Sequence, residues 1–373
     1  METIKITDDF LEMSKIGEEL FIEKQNKYND TLVSMMKNHI KKMNPQSADD
    51  EVDQLFYITV YHYWVYGSTF DEFFYYDFIN KTHKEKLEYM TFRVRLLYMD
   101  HLNNKEDAHI LFNKYETYSL FKDYYKRDVI LCADEKDFPK FCEFTEKHPE
   151  FVVKPTDMSG GRGIYKTSVK GFDSKSLKAF FDDLLNEGKQ NNEKYLRGKE
   201  GSIVIEELID QADELAVFNP ESVNGVRVPT VVVNGKVHIY EPWLKIGRGG
   251  QFLTSAVFGT MDAGINAETG IVDTPGVTET GEVWEYHPDN NIRIPGFVIP
   301  HWNELVEMAT ECALKLPTMH YVGWDFVLSK NGWCMMEGNY SGDFMWQLYR
   351  NKGMKKDFEK LIDWKLDKQF WWE

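Results

Sequence analysis

The stretch Tyr321-Val-Gly-Trp-Asp325-Phe-Val-Leu-Ser-Lys-Asn331-Gly332-Trp-Cys-Met-Met-Glu337-Gly-Asn339 decides the fold. Val327 and Leu328 on one side, and Trp333, Met335 and Met336 on the other, supply strand character around Asn331-Gly332, and Asn-Gly is the strongest short hairpin signal. One strand then carries Asp325 and the next carries Glu337 and Asn339. Together they are three hard oxygen donors, the set Mg²⁺ takes alongside phosphate oxygens. A hairpin bearing two acids is by itself more often a solvated edge, so the reading depends on a second, phosphate-type element.

That element is Phe151-Val-Val-Lys154-Pro-Thr-Asp-Met-Ser159-Gly160-Gly161-Arg162-Gly163-Ile164-Tyr165. An apolar strand delivers Lys154, a glycine-rich loop follows, and another strand begins at Ile164. Glycines at 160, 161 and 163 let backbone N–H groups turn toward an anion, while Lys154 and Arg162 add positive charge. No Gly-Lys-Ser/Thr is present and the loop leads into a strand, so it is not a P-loop. Alone it would be an ordinary hairpin turn. Paired with the acidic hairpin, it points to a nucleotide held between a phosphate flap and a metal site.

On these motifs the chain resembles the ATP-grasp superfamily, and the resemblance implies a fold of two α+β subdomains with ATP between them. It implies that Lys154 faces ATP, that Ser159, Gly160, Gly161, Arg162 and Gly163 form the flap, and that Asp325, Glu337 and Asn339 are the magnesium ligands. Val204-Ile-Glu206-Glu207-Leu208-Ile209 is similar to the hinge strand that contacts adenine. Lys114, in Asn113-Lys-Tyr-Glu-Thr-Tyr, is similar to the earlier phosphate lysine that opens the fold. Arg227 begins a strand where the family often has a phosphate- or substrate-facing arginine. Tyr321-Val-Gly-Trp-Asp-Phe, with His287-Pro288 and Ile299-Pro-His-Trp302, resembles the sugar-transfer-associated branch, met in cell-surface polysaccharide biosynthesis. The resemblance covers roughly residues 108–373 and is specific for fold and nucleotide rather than for substrate.

At 373 residues the chain is long enough for two domains with sizeable cores. The expected division is a mainly helical region at 1–107 and an ATP-grasp domain at 108–373, split into lysine/flap (108–208) and metal-binding (209–373) subdomains. In the first region Phe10, Met13, Ile16 and Leu20 recur at helical spacing, and no glycine lies between Gly17 and Gly67. Its aromatic run Phe56–Tyr66 reads as a packed helix face before a sugar pocket. Further on, Val129–Cys132 reads as a strand, Glu135–His148 and Ser174–Asn186 as helices with Ser174 as an N-cap, and Lys189–Lys194 as a polar loop. Residues 246–296 hold nine of the 25 glycines and read as irregular structure over the site.

A net charge of −17 argues against nucleic acid or an anionic membrane as partner, so an anionic substrate must meet local cations. Arg162, Arg227, Lys245 and Arg248 are the candidates. His287 is more often a turn residue with a satisfied ring, and His301 and His320 lack metal-ligand spacing. Cys132, Cys142, Cys312 and Cys334 read as four buried thiols. No basic n-region, apolar h-region or membrane-length apolar run appears, and the expected location is cytoplasmic.

The activity these readings imply is an ATP- and Mg²⁺-dependent ligase joining a small-molecule carboxylate, an amino acid or sugar acid, to an amine through an acyl phosphate. A kinase acting on a hydroxyl and a non-catalytic nucleotide-binding protein are the alternatives.

Overall fold

Strand alternation governs the architecture, because successive side chains must enter opposite faces of a sheet. The computed structural model describes residues 4–366 except 44, 159, 196–200, 253, 255–258, 279–280 and 343–345. These residues divide into two compact units, one from residues 1–101 with 350–373 and one from 102–349.

The first unit is helical, with helices at Phe10–Glu23, Asp30–Met43 and Asp49–Tyr66. The aromatic run fills its core: Phe56, Val60 and Trp64 pack with Leu20, Ile40 and Val52. The aromatics that might have lined a sugar pocket are therefore interior side chains. His62 is fully buried, and that burial drives its pKa down to about 3. The C-terminal helix Lys355–Ile362 belongs to this unit, where the Tyr98 hydroxyl donates to Glu359 at 2.7 Å.

In the second unit, strands β1 (Val129–Cys132), β2 (Glu150–Pro155), β3 (Tyr165–Ser168) and β4 (Ile203–Glu207) form an antiparallel sheet in the order β1-β4-β2-β3. Phe151 and Val153 of β2 and Ile203 and Ile205 of β4 face a core with Phe141, Phe144, Phe181 and Leu184 from helices Phe138–Lys147 and Ser174–Tyr195. The intervening residues, Val152, Lys154 and Glu206, take the opposite face and line a cavity.

The second sheet contains β5 (Gly225–Val233), β6 (Lys236–Ile239), β7 (Trp243–Ile246), β8 (Met261–Gly264), β9 (Gly276–Thr278), β10 (Val283–Trp284), β11 (Tyr321–Ser329) and β12 (Gly332–Asn339). Its order is β10-β9-β8-β7-β5-β11-β12, with β6 also on β5. Val322, Trp324, Phe326 and Leu328 of β11, Val226 and Val228 of β5, and Leu244 and Ile246 of β7 enter one core. That face is backed by helices Lys114–Tyr125 and Trp302–Lys315, through Phe121, Leu305 and Ala309.

One irregularity sets the site. Trp333 and Met335 face the core, so strict alternation would send Glu337 and Asn339 the same way. The register instead shifts between Asp325 and Phe326, pairing Asp325 with Glu337 but Phe326 with Met335. Met336 is the extra residue, and this β-bulge turns Glu337 and Asn339 onto the cavity face.

Several expectations need correction. The helix from Ser174 continues to Tyr195, through the Lys189–Lys194 stretch read as a loop, because Lys, Gln and Glu are good helix formers. Its N-terminal cap is Asp173, whose carboxylate accepts from Ser176 N at 2.8 Å. Within 246–296, β8 to β10 extend the second sheet, so this region is less irregular than its glycine content suggested. Cys132, Cys312 and Cys334 are buried but Cys142 is only partly so, and all four are free. The Trp371-Trp372-Glu373 tail lies outside the described residues.

The hairpin also shows why a glycine separates Glu337 from Asn339. Gly338 pairs with Trp324 across the strands, and a Cβ there would stand 2.8 Å from the Trp324 ring and 2.9 Å from Leu111 Cδ2. Gly338→Ala should therefore cost about 1–3 kcal/mol through overpacking. Urea melts of the two proteins check this; equal midpoints would show that the hairpin does not depend on that close contact.

Candidate functional site

The cavity between the sheets has a volume of about 530 Å³, within the usual range for small-molecule sites. From the first sheet it takes Lys154 and Glu206, both buried. Lys154 Nζ donates to Glu206 Oε2 at 2.8 Å. Arg127, just before β1, reaches the same oxygen through Nη2 at 2.7 Å and Nε at 3.0 Å. Burial alone would raise the Glu206 carboxyl; Arg127 and Lys154 outweigh that cost and hold it at about 2. Arg127 Nη1 also donates to Met335 O at 2.6 Å, so this guanidinium joins the Glu206 strand to the bulged strand β12.

Lys114 enters from the helix Lys114–Tyr125, capped by the Asn113 side chain. Its backbone N–H donates to Thr156 O at 2.8 Å and its ammonium to Met158 O, fixing it at the root of the flap. Burial lowers its pKa, while Glu337 acts in the opposite sense. In the flap, Gly160, Gly161 and Gly163 have φ near +70°, a region that favours glycine. Gly160 and Gly161 line the cavity, Arg162 and Gly163 do not, and Ser159 lies outside the described residues. The hinge residues Glu207 and Leu208 line the cavity, beside Val152 and Met336. Glu207 is also tied outward, accepting from Asp128 N at 2.9 Å and lying 3.8 Å from His148 Nδ1.

The second sheet sets its charges side by side. Asp325 lies opposite Glu337 on β12 and opposite Arg227 on β5. Asn339 Nδ2 reaches Glu337 Oε1 at 3.3 Å and Asp325 Oδ2 at 3.5 Å, so the three oxygen-bearing side chains expected from the sequence do meet. Arg227 grips Asp325 with both arms: Nη2 lies 2.8 Å from Oδ2, and Nε bonds Oδ1. Lys245 Nζ stands 3.6 Å from the same carboxylate. Burial works against ionisation of Asp325, yet Arg227 and Lys245 together hold its pKa below the ordinary carboxylate value. A hard cation fits this donor set, since Asp325 Oδ1 keeps a lone-pair site beyond the one that Arg227 occupies and Glu337 adds a second carboxylate opposite it.

Not every candidate comes to the cavity. Arg248 donates to Gly259 O at 2.6 Å and to Glu282 at 2.9 Å, and does not line it. His287 is buried, with Nε2 on Gly247 O at 2.9 Å and Nδ1 facing Asp289 N at 3.3 Å, so its ring supports a loop. Conversely, Arg127 and the buried acid Asp262, which lines the cavity, were not singled out from the sequence. Asp262 could have been found from the alternation Thr260-Met-Asp-Ala-Gly264, where apolar and polar residues take turns; the glycines nearby hid it.

Two α+β halves, one carrying Lys154 and the flap and the other the acidic hairpin, with the cavity between them, make the ATP-grasp fold. Residues 93–362 match the family described as sugar-transfer associated ATP-grasp, and the chain belongs to that family. No curated protein matches it in sequence. Among solved structures it is similar to D-alanyl-alanine synthetase A from Vibrio cholerae O1 biovar eltor, at 12% identity over 69% of this chain and 62% of that one, with a TM-score of 0.42. It is similar to D-alanine–D-alanine ligase from Helicobacter pylori, at 14% identity over 71% and 64% with a TM-score of 0.42. An L-amino acid ligase from Bacillus licheniformis gives 16% identity over 66% and 50%, with a TM-score of 0.38. The chain thus spans less than two thirds of the length of these structures.

Glu206→Gln should lower stability by about 3–5 kcal/mol at neutral pH, because Arg127 and Lys154 would keep their charges in a buried place without a counter-charge. The folded Glu206 carboxyl lies near 2 against an ordinary 4.5, so its contribution is complete above about pH 4.5 and is lost as pH falls toward 2. Urea melts of wild type and variant should differ most at pH 7 and converge below pH 4.5. A gap that stays constant through that range would show that the Glu206 charge is not what stabilises the sheet.

Proposed function

We propose that the protein is an ATP-dependent carboxylate–amine ligase that works through an acyl phosphate. The observation that carries this reading is the pair of cations, Arg227 and Lys245, on the carboxylate of the acidic hairpin. A carboxylate substrate has to lie beside the γ-phosphate, and these groups offer it positive charge there despite a chain charge of −17. A hydroxyl acceptor would not need them. The reading extends to small-molecule carboxylate and amine substrates, an amino acid or sugar acid among them, in surface-polysaccharide or related small-molecule and peptide biosynthesis. It places the reaction in the cytoplasm; no described helix is long and apolar enough to cross a membrane.

The residues divide the work as follows. Glu207 and Leu208 present hinge backbone to adenine, against Val152 and Met336. Lys154, held by Glu206, and Lys114, held by Met158 O, take the phosphate tail. Asp325, Glu337 and Asn339 would hold Mg²⁺, which would supply neutralisation of phosphate oxygens. Arg227 and Lys245 orient the substrate carboxylate so that one oxygen attacks the γ-phosphorus as the bond to ADP breaks. The flap over Gly160 and Gly161 then keeps water from the acyl phosphate. An amine nitrogen attacks the acyl carbon, the C–O bond to phosphate breaks, the amine proton leaves, and Lys245 steadies the oxyanion.

Hydroxylamine added to a reaction with Mg-ATP and pools of amino acids and sugar acids should trap a hydroxamate. A stable phosphomonoester without hydroxamate would replace the ligase by a kinase. Glu337→Gln should abolish Mg-dependent ATP turnover with the thermal melt unchanged, and near-normal turnover would remove the metal assignment.

Arg227 is a poor probe of substrate contact, because truncating it strips Asp325 of its buried partner. Lys245→Ala is the better test. It should cost roughly 2–4 kcal/mol in kcat/KM for the acid, the scale of one lost oxyanion donor, with nucleotide affinity little changed.

A further inference from the structure

We propose that Asp128, His148 and Glu207 form a binding site for a transition-metal dication of the zinc type, on the outer side of the hinge strand. The site is separate from the acidic hairpin, and nothing in it depends on the ligase reading.

The backbone brings the three residues together. Val129 of β1 pairs with Glu206 of β4, so Asp128 and Glu207 stand side by side at one end of the two strands. Glu207 N donates to Asp128 O at 2.9 Å, and Asp128 N donates to Glu207 Oε2 at 2.9 Å. His148 caps the C-terminus of the helix Phe138–Lys147, with its N–H on Phe144 O at 2.9 Å. Its ring packs on the Phe144 ring, their centroids 5.0 Å apart. The imidazole is thereby set between two carboxylates: Nε2 lies 2.9 Å from Asp128 Oδ2, and Nδ1 lies 3.8 Å from Glu207 Oε1. A plain surface ion pair needs one carboxylate per imidazole, and here a second is tethered to the same ring.

One ligand atom from each of the three residues lies within 4.8 Å of the other two. Around a tetrahedral ion with bonds of about 2.1 Å, ligand atoms stand about 3.4 Å apart, so side-chain shifts of about 1 Å close the set on an ion. The donors select the metal. An imidazole nitrogen with two carboxylate oxygens suits Zn²⁺ and its neighbours, whereas Mg²⁺ takes oxygen ligands. A dication neutralises both carboxylates and takes the imidazole in its neutral form. The Asp128 amide holds Glu207 Oε2 and leaves Oε1 toward the ring, the kind of outer hydrogen bond that orients a ligating carboxylate. His148 is mostly covered and Asp128 is open to solvent, so an ion can enter and water can complete its coordination. An ion here would join the start of β1, the turn before β2 and the end of β4. It would clamp from outside the strand end whose Glu207 and Leu208 line the cavity.

The test is metal binding to the full chain, which does not require turnover. Chelator-treated protein in a large excess of Mg²⁺, which occupies the acidic hairpin, is titrated with Co²⁺ and followed by visible absorption. Wild type should take up one equivalent with d–d bands of a nitrogen- and oxygen-ligated ion and no thiolate charge-transfer band, and Zn²⁺ should displace it. His148→Gln and Asp128→Asn should each weaken Co²⁺ binding at least tenfold, while Glu337→Gln binds it as wild type does. The proposal is overturned if wild type binds no Co²⁺ beside Mg²⁺, or if a thiolate band shows that cysteines hold it. It is overturned equally if His148→Gln loses less than tenfold, or if the affinity falls in Glu337→Gln. Should His148→Gln fail to fold, Asp128→Asn, which alters an exposed side chain and keeps the backbone pairing, decides by the same tenfold criterion.

Discussion

Everything in the second unit follows from burying carboxylates on the inner faces of two sheets. A carboxylate taken out of water costs several kcal/mol unless it is neutralised and hydrogen-bonded. The chain meets that demand in the same way on each sheet. Glu206 has Arg127 and Lys154; Asp325 has Arg227 and Lys245. In each case one arginine grips the acid in a fixed geometry and one lysine adds a point charge. The division suits their chemistry, since the guanidinium is a rigid fork while an ammonium can turn to a new partner. Arginine keeps the scaffold charged and ordered, and lysine is the group able to change partners when a ligand arrives.

The bulge at Met336 is the second constraint. Without it, the strand that packs Trp333 and Met335 would carry Glu337 and Asn339 into the same core. One added residue changes the face and leaves Met336 in the cavity wall. The bulge is braced on both sides: Arg127 takes Met335 O, and Gly338 lets Trp324 close against the hairpin. The Glu-Gly-Asn spacing is thus a packing requirement as well as a chemical one.

Much of this could be read before the structure, for reasons that can be named. The Asp325–Asn339 hairpin, the Lys154 strand and the flap announce themselves through local signals: Asn-Gly, alternating apolar residues and clustered glycines. What could not be read depends on partners distant in sequence. Nothing near Arg127 says that it will meet Glu206, 79 positions away. The bulge cannot be seen either, because Trp333, Met335, Glu337 and Asn339 all share the odd positions. Strands β8 to β10 hid among glycines because strands of two to four residues are too short to display a period. Arg248 misled for the opposite reason: it lies in a glycine-rich run close to the site, yet Gly259 and Glu282 draw it elsewhere.

The charge balance of the cavity limits what can enter it. Among the residues lining it, Lys114, Lys154, Arg227 and Lys245 face Glu206, Glu207, Asp262, Asp325 and Glu337. Four cations against five acids leave no excess of positive charge for a polyphosphate, and the chain as a whole is strongly acidic. The surface charge is damped within about 10 Å at ordinary ionic strength, so the balance inside the cavity decides. On the proposed reading, the acids of the hairpin repel a bare triphosphate and attract one that brings a divalent cation. On that same reading, a cation that drew part of the Asp325 charge would leave Lys245 better able to take a substrate carboxylate. Metal, nucleotide and acid would thereby be linked through a single aspartate.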